Sequence, residues 1–247
     1  MSGSRSTNSE MRVDPHQRQL LQVPSEDHPS QRSFAGRLKR GLDMLFAASG
    51  ILLLLPLLLL IALVVKCTSA GPVLFRQRRF GLRLQPFTIF KFRTMSADAD
   101  ERLEEIRQLN DARGCIFKIR EDPRLTPVGR FLRRTSLDEL PQLLNVLRGE
   151  MSLVGPRPLA EWILREPQER RFYRRFAVLP GMTGLWQVSG RVQDAGRMLD
   201  DDLRYVENWT LWRDVRILAA TPAALLRDPD QFVRGSSRAP DPTKTAR

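Results

Sequence analysis

The longest apolar stretch of the chain runs from Met44 to Val65, 22 residues without a charge between Asp43 and Lys66. As a straight helix it would measure roughly 33 Å, about one hydrocarbon thickness. Pro56 falls near its middle, removes a helix hydrogen bond and favours a bend. Arg37, Lys39 and Arg40 precede the run, and Lys66, Arg76, Arg78 and Arg79 follow it. Basic flanks prefer the cytoplasm. If both flanks stay inside, the segment enters and returns as a re-entrant helix–break–helix. A plain span with a proline kink is the alternative, because such kinks are tolerated in membrane helices.

Beyond the run the hydrophobic period changes. Residues 72–77 and 87–92 are strand-like, with Gly81 in the connection, which predicts a β-hairpin over 72–93. Residues 96–110 are charged and helical, and Asp122-Pro123 marks a turn. Leu137 to Leu147 reads as a helix. Residues 160–178 mix Phe172, Tyr173 and Phe176 with Arg170, Arg171, Arg174 and Arg175, the pattern of an interfacial amphipathic helix. Pro180-Gly181 and Ser189-Gly190 bracket a loop, and 199–227 returns to helical patterning. Residues 1–33 and 235–247 are polar and read as disordered tails. The first is no signal peptide, because the apolar run starts too late and is too long. The expected organisation is therefore α+β, mostly α: a membrane segment over 34–66 and a cytosolic, membrane-associated domain over 67–234.

Net charge is +12, which calls for a polyanionic partner: nucleic acid, anionic lipid or a phosphorylated substrate. A membrane-tethered nucleic-acid-binding protein or a scaffold is the alternative reading, but no nucleic-acid motif is visible. The two cysteines, Cys67 and Cys115, form neither a metal-ligand spacing nor a disulfide framework, which fits a reducing compartment. Both histidines, His16 and His28, lie in the N-terminal tail, so any general base must be Asp or Glu.

Residues 133–158 carry the chemistry. Arg133 and Arg134 are followed by Ser136-Leu137-Asp138-Glu139, then by Pro156-Arg157-Pro158. Ser136 and Glu139 fit a capping box, but Pro141 sits more comfortably if Asp138 is the N-cap. Either way the acid pair opens a helix, where the helix field and the arginines favour the ionised form. An ionised Asp can attack phosphorus, and a neighbouring Glu can hold Mg²⁺. The bland reading is two ordinary first-turn acids. Pro156-Arg157-Pro158 is either a rigid turn with a solvated arginine or a fixed mount aiming one guanidinium at a phosphate. Lys91 and Arg93 are either exposed strand cations or phosphate ligands.

In order, the motifs resemble the bacterial sugar transferases, the monotopic polyprenyl-phosphate phosphoglycosyl transferases. The matching pieces are Lys39-Arg40-Gly41-Leu42-Asp43, Gly71 to Gln77, Phe90-Lys91-Phe92-Arg93-Thr94-Met95 and Thr126 to Arg130. Leu137 to Gln142, Leu153 to Pro158 and Pro180 to Arg191 complete the set. The resemblance covers residues 34–227. It implies transfer of a sugar-1-phosphate from a nucleoside diphosphate sugar to polyprenyl phosphate at the cytoplasmic face of the bacterial inner membrane. The carrier would be undecaprenyl phosphate, and the partners are these two substrates and membrane lipids, with no nucleic acid. A homo-oligomer is left open. It implies Asp138 as nucleophile, Glu139 as Mg²⁺ ligand, and Pro156, Arg157 and Pro158 at the nucleotide. Lys91, Arg93, Arg133, Gln187 and Arg191 are the further substrate-binding candidates. It also implies a re-entrant helix broken at Pro56, although members often carry Ser where this chain has Leu55. The 185–191 element is similar to members that use UDP-glucose or UDP-galactose. The chain looks like the catalytic module alone, with a polar tail.

Overall fold

The structure is a computed structural model that describes residues 28–96, 98–99, 122–165, 169–190 and 195–226. A short helix α1 (Pro29–Arg32) leads into α2 (Phe34–Thr68). Ser33 starts α2 by accepting the Gly36 N–H on its hydroxyl at 3.0 Å. Among the described residues α2 is the one helix long and apolar enough to cross a membrane. It runs through Pro56 as a single assigned helix. Its buried positions form one stripe: Gly36, Lys39, Asp43, Ala47, Ile61 and Val65. The opposite face exposes Leu45, Phe46, Leu52, Leu53, Leu59, Leu60 and Leu63.

Next comes the expected hairpin. Strands β1 (Leu74–Phe80) and β2 (Pro86–Phe92) pair antiparallel, with Leu74 opposite Phe92 and Phe80 opposite Pro86. Helix α3 (Pro127–Thr135) is capped by the Thr126 hydroxyl, and its Gly129 packs closely on the Thr94 backbone. A 3-10 turn over Leu137–Gln142 follows, then α4 (Leu143–Leu147), so the helix expected over 137–147 is two pieces. Strand β3 (Ser152–Val154) leads to β4 (Leu159–Ala160), which pairs with the outer edge of β1. Strand β5 (Gly181–Thr183) lies parallel to β3, and the short α5 (Leu185–Val188) follows it. The stretch expected as a loop is therefore a strand and a helix. Helices α6 (Ala195–Glu207) and α7 (Leu211–Leu226) close the described chain. The mixture of helices and a small sheet is α+β. Most of the helix expected over 96–110, most of the first tail and all of the second lie outside the described residues, and the described end of the first tail is ordered as α1.

Two features of the packing position the site. Gly155 and Gly181 let β3 and β5 touch. A Cβ on Gly181 would lie 2.0 Å from the Gly155 nitrogen, so neither residue tolerates a side chain. The membrane helix binds the body at both ends. Ala47 packs with Phe87, Ile89, Leu143 and Val146. Ile61 and Val65 pack with Phe92 and Leu132.

The amphipathic segment is corrected by burial. Over Arg170–Ala177 it is a 3-10 helix whose Phe172, Tyr173 and Phe176 join Phe80, Leu159 and Met198 in a core cluster. Its aromatics face protein rather than lipid. The sequence pattern alone could not separate the two, because core and membrane select the same apolar stripe.

Candidate active site

The acid pair owes its position to a chain reversal. Ser136 adopts a left-handed backbone (φ 56°, ψ 17°) and its N–H closes α3 on the carbonyls of Leu132 and Arg133. This conformation is uncommon for a residue with a side chain. It turns the chain so that Leu137 joins the Ile61, Val65, Phe92 and Leu132 cluster at the foot of the membrane helix. Asp138 follows on the 3-10 turn, buried. Neither capping assignment holds: the Ser136 side chain makes no capping bond, and Asp138 is inside the turn.

Asn145 fixes this turn against the hairpin. Its Oδ1 accepts the Phe90 N–H at 3.1 Å, and its Nδ2 donates to the Thr88 carbonyl at 2.7 Å and to Glu150 at 2.6 Å. Lys91, the next residue on β2, is thereby held against Glu139, Nζ to Oε1 2.5 Å. Arg157 approaches the same oxygen at 3.8 Å from the other side, with its guanidinium 5.5 Å from the Trp186 ring centre. The Pro-Arg-Pro backbone is pinned at each carbonyl. Pro156 accepts from the Gly181 N–H at 2.9 Å, Arg157 from Arg175 at 2.9 Å and Pro158 from Arg79 at 3.1 Å. Asp202, buried, closes an ion pair with Arg175 behind this loop. A cleft opens between these elements, lined by Arg79, Lys91, Glu139, Gln142, Arg157 and Pro158.

Burial dominates the electrostatics. It pushes the Asp138 carboxyl up to about 6, with the neighbouring Glu139 charge adding to the rise, while Lys91, Arg133 and Arg157 only partly oppose it. The expectation that the helix field and arginines would favour ionisation is thus reversed. A short 3-10 turn supplies little field, and the low-dielectric site penalises the charge more than the cations relieve it. Burial also draws Lys91 and Arg133 below their ordinary values.

The candidates separate spatially. Asp138, Glu139, Lys91, Arg133 and Arg157 share one electrostatic cluster, and Pro158 lines the cleft. Arg133 is oriented by donating from Nε to the Thr94 hydroxyl at 3.0 Å. Arg93 turns away to the end of the membrane helix, where its Nη2 donates to the Ser69 carbonyl and hydroxyl at 2.7 Å. Its Nε and Nη1 are buried without a partner among the described residues. Gln187 is buried beside Gly184 rather than on the cleft wall, and Arg191 lies outside the described residues. Sequence reasoning missed Arg79 and Gln142 as cleft residues. Arg79 was legible only as one of several cations on a strand, with nothing to mark which of them turns inward.

A divalent cation suits this donor set. Among the described residues no group of three or more His, Cys, Asp or Glu side chains could cage a metal. Mg²⁺ characteristically needs only one or two carboxylates beside substrate phosphates and water. Asp138 and Glu139 are adjacent carboxyls whose mutual repulsion a cation would relieve.

Comparison with known proteins identifies the family. Residues 34–228 match the family model for bacterial sugar transferases. The exopolysaccharide production protein ExoY of Rhizobium meliloti is 44% identical over 213 residues, covering 81% of this chain and 91% of that protein. The undecaprenyl-phosphate galactose phosphotransferase of Salmonella typhimurium is 42% identical over 219 residues, covering 86% of this chain but 44% of that protein. The undecaprenyl-phosphate glucose phosphotransferase of Komagataeibacter xylinus is 43% identical over 195 residues, 74% of this chain and 35% of its own.

Proposed function

The chain belongs to the bacterial sugar transferase family, and on that premise we propose that it moves a sugar-1-phosphate from a nucleoside diphosphate hexose to a polyprenyl phosphate through Asp138. Relatives named as undecaprenyl-phosphate sugar phosphotransferases support reading it as a phosphoglycosyl transferase. The UDP-hexose donor and the covalent route are the finer parts of the proposal. One observation carries it: an adjacent carboxyl pair at the foot of an apolar helix, beside a cleft where Arg79, Lys91 and Arg157 meet a single carboxylate, Glu139.

The chemistry runs in two displacements. An Asp138 carboxylate oxygen forms a bond to the phosphorus that carries the sugar. The bond from that phosphorus to the nucleotide's bridging oxygen breaks, and its electron pair leaves on the nucleoside monophosphate. A phosphate oxygen of the polyprenyl phosphate then attacks the same phosphorus, and Asp138 departs as carboxylate. Burial raises the basicity of Asp138 and so its nucleophilicity once ionised. Lys91 and Arg157 stabilise charge on the phosphoryl oxygens in both steps. Glu139 would hold Mg²⁺, whose charge would offset that of the diphosphate.

The membrane reading rests on where α2 is anchored. Residues 43 and 47 near one end, and 61 and 65 near the other, are buried on the same body. A helix that crossed a bilayer would place those ends on opposite sides, and a body packed on both could not follow. An entry and return from the cytoplasmic leaflet, for which Pro56 would be the place to bend, satisfies the anchoring and leaves the leucine face to lipid. Cys67 is exposed beyond the run. With Cys115 replaced and a second cysteine installed at Arg37, an impermeant thiol reagent should label neither site in intact spheroplasts and both after lysis. Labelling of one site alone before lysis would establish a span.

The functional test is a donor panel. Purified protein in nanodiscs, with undecaprenyl phosphate and Mg²⁺, should release nucleoside monophosphate from one UDP-hexose far faster than from the others. Absence of release from every nucleoside diphosphate sugar would overturn the assignment.

A further inference from the structure

We propose that Arg79 receives the leaving nucleoside monophosphate, gripping the phosphate that departs as Asp138 is loaded. This rests on the phosphoglycosyl transfer reading above and adds a residue and a side of the cleft to it.

Charge singles out Arg79. Lys91 is paired with Glu139 at 2.5 Å, and Arg157 lies 3.8 Å from the same oxygen. Among the described residues Arg79 has neutral acceptors alone, the Pro158 carbonyl at 3.1 Å and the Gln77 amide oxygen at 2.6 Å. Its Nε is buried with no partner among the described residues. Three cations therefore share one carboxylate at the cleft wall. Burial, and then the nearby Arg157 charge, lower the Arg79 guanidinium to about 10. A desolvated cation whose nearest carboxylate is already paired with another cation is costly, and an anionic ligand would remove that cost.

Position then says which anion. Lys91 interacts with both Glu139 and Asp138, whereas the charges acting on Arg79 are Arg157 and Glu139. Followed contact by contact, the cleft runs from Asp138 to the adjacent Glu139, which meets Lys91 and Arg157, and on to Arg79, bonded to Pro158 beside Arg157. Phosphoryl displacement keeps attacking and leaving oxygens roughly in line. With Asp138 on one side of the reacting phosphorus, the departing phosphate points to the Arg157 and Arg79 side. As the bond to the bridging oxygen breaks, negative charge grows on that phosphate, where two guanidinium groups can take its oxygens. Register makes the placement rigid. Arg79 stands where β1 meets both neighbours, opposite Phe87 on β2 and Ala160 on β4. Its bond to Pro158 ties it to the loop that carries Arg157.

The experiment separates the half-reactions in the full-length protein. Arg79→Gln should slow loading of Asp138 from the preferred donor by about a hundredfold. It should weaken inhibition by UMP by about tenfold. Discharge of preformed adduct onto undecaprenyl phosphate should stay close to the wild-type rate. Arg79→Lys should recover part of the UMP inhibition but not the loading rate, because the charge returns without the planar fork. If UMP inhibition and loading are unchanged, or if loading and discharge fall together, Arg79 has no leaving-group role. If Arg79→Gln does not fold, unchanged UMP affinity in Arg79→Lys with normal loading overturns the proposal. If the wild type forms no adduct, the transfer reading fails separately. UMP binding to wild type and Arg79→Gln, measured by calorimetry, then decides the role of Arg79 by itself.

Discussion

Two charge clusters, one buried and one lining the cleft, lie beside the Pro-Arg-Pro loop and are built on opposite plans. One joins the start of the membrane helix to the body. Lys39 donates to Asp214 at 2.7 Å and to the Val154 carbonyl at 3.1 Å. Tyr205 donates to Asp214 Oδ1 at 2.8 Å, and Trp209 to its other oxygen at 3.1 Å. Asp43 accepts from the Ser152 hydroxyl at 2.7 Å and the Leu153 N–H at 3.2 Å. Every carboxylate oxygen there has a donor. Among the described residues the other cluster sets Asp138 and Glu139 against Lys91, Arg79 and Arg157, more cations than carboxylates. A closed network rigidifies. An open one holds an unmet demand for a ligand. Val154, gripped by the first cluster, is three residues from Arg157 in the second, so the membrane helix braces the loop that serves the cleft.

Opposite responses to mutation would sharpen this contrast. Asp138→Asn should reduce turnover by a factor on the order of a thousand or more, with stability kept or improved because a like-charge pair is relieved. Glu139→Gln should also lose most activity while remaining folded and membrane-bound. EDTA should abolish wild-type turnover and Mg²⁺ restore it, and full activity in EDTA would remove the metal from the mechanism. Lys39→Met should do the reverse. Leaving Asp214 and Asp43 without their cation should cost about 3–5 kcal/mol in denaturant unfolding. A stable Lys39→Met protein would mean that the closed cluster is not a brace.

Acidity gives a gentler separation. The Asp138 carboxyl is raised from 3.8 to about 6, so its folded form binds the proton more tightly than its unfolded form. Its contribution to stability therefore falls as pH rises from about 4 to about 6 and is level above that. Loading of Asp138 needs the carboxylate, so its rate should climb through about pH 6 while that stability contribution declines. A loading rate that stays flat from about one pH unit below this transition to about one unit above it would contradict a buried nucleophile. Tyr205→Phe should have the smallest effect, about 1–2 kcal/mol, by removing one donor to Asp214. It should leave the loading rate within a few-fold of wild type.

The sequence was most readable where one local pattern decides the outcome. Alternation with Gly81 between the strands marked the hairpin, and Asp138, Glu139 and Arg157 stood out by residue type and order. It was least readable where long-range contacts choose among equivalent patterns. Lys39 reads as part of a basic membrane flank, because Asp214 is 175 residues away from it. The left-handed turn at Ser136 competes with an equally good capping box, and only the packing of Leu137 selects it. Phe172, Tyr173 and Phe176 have the spacing of an interfacial helix, yet Phe80 and Leu159 cover them. On β1, nothing in the spacing of Arg76, Arg78 and Arg79 tells which one reaches the cleft.

The central claim is that the open cluster exists to make Asp138 a phosphate nucleophile. Intact-protein mass spectrometry after incubation with the preferred donor alone, without polyprenyl phosphate, tests it most directly. The wild type should gain the mass of one sugar phosphate, mapped to Asp138 and discharged on addition of undecaprenyl phosphate, and Asp138→Asn should gain nothing. An unmodified wild type that still turns over with acceptor, or an equal adduct on Asp138→Asn, would contradict it.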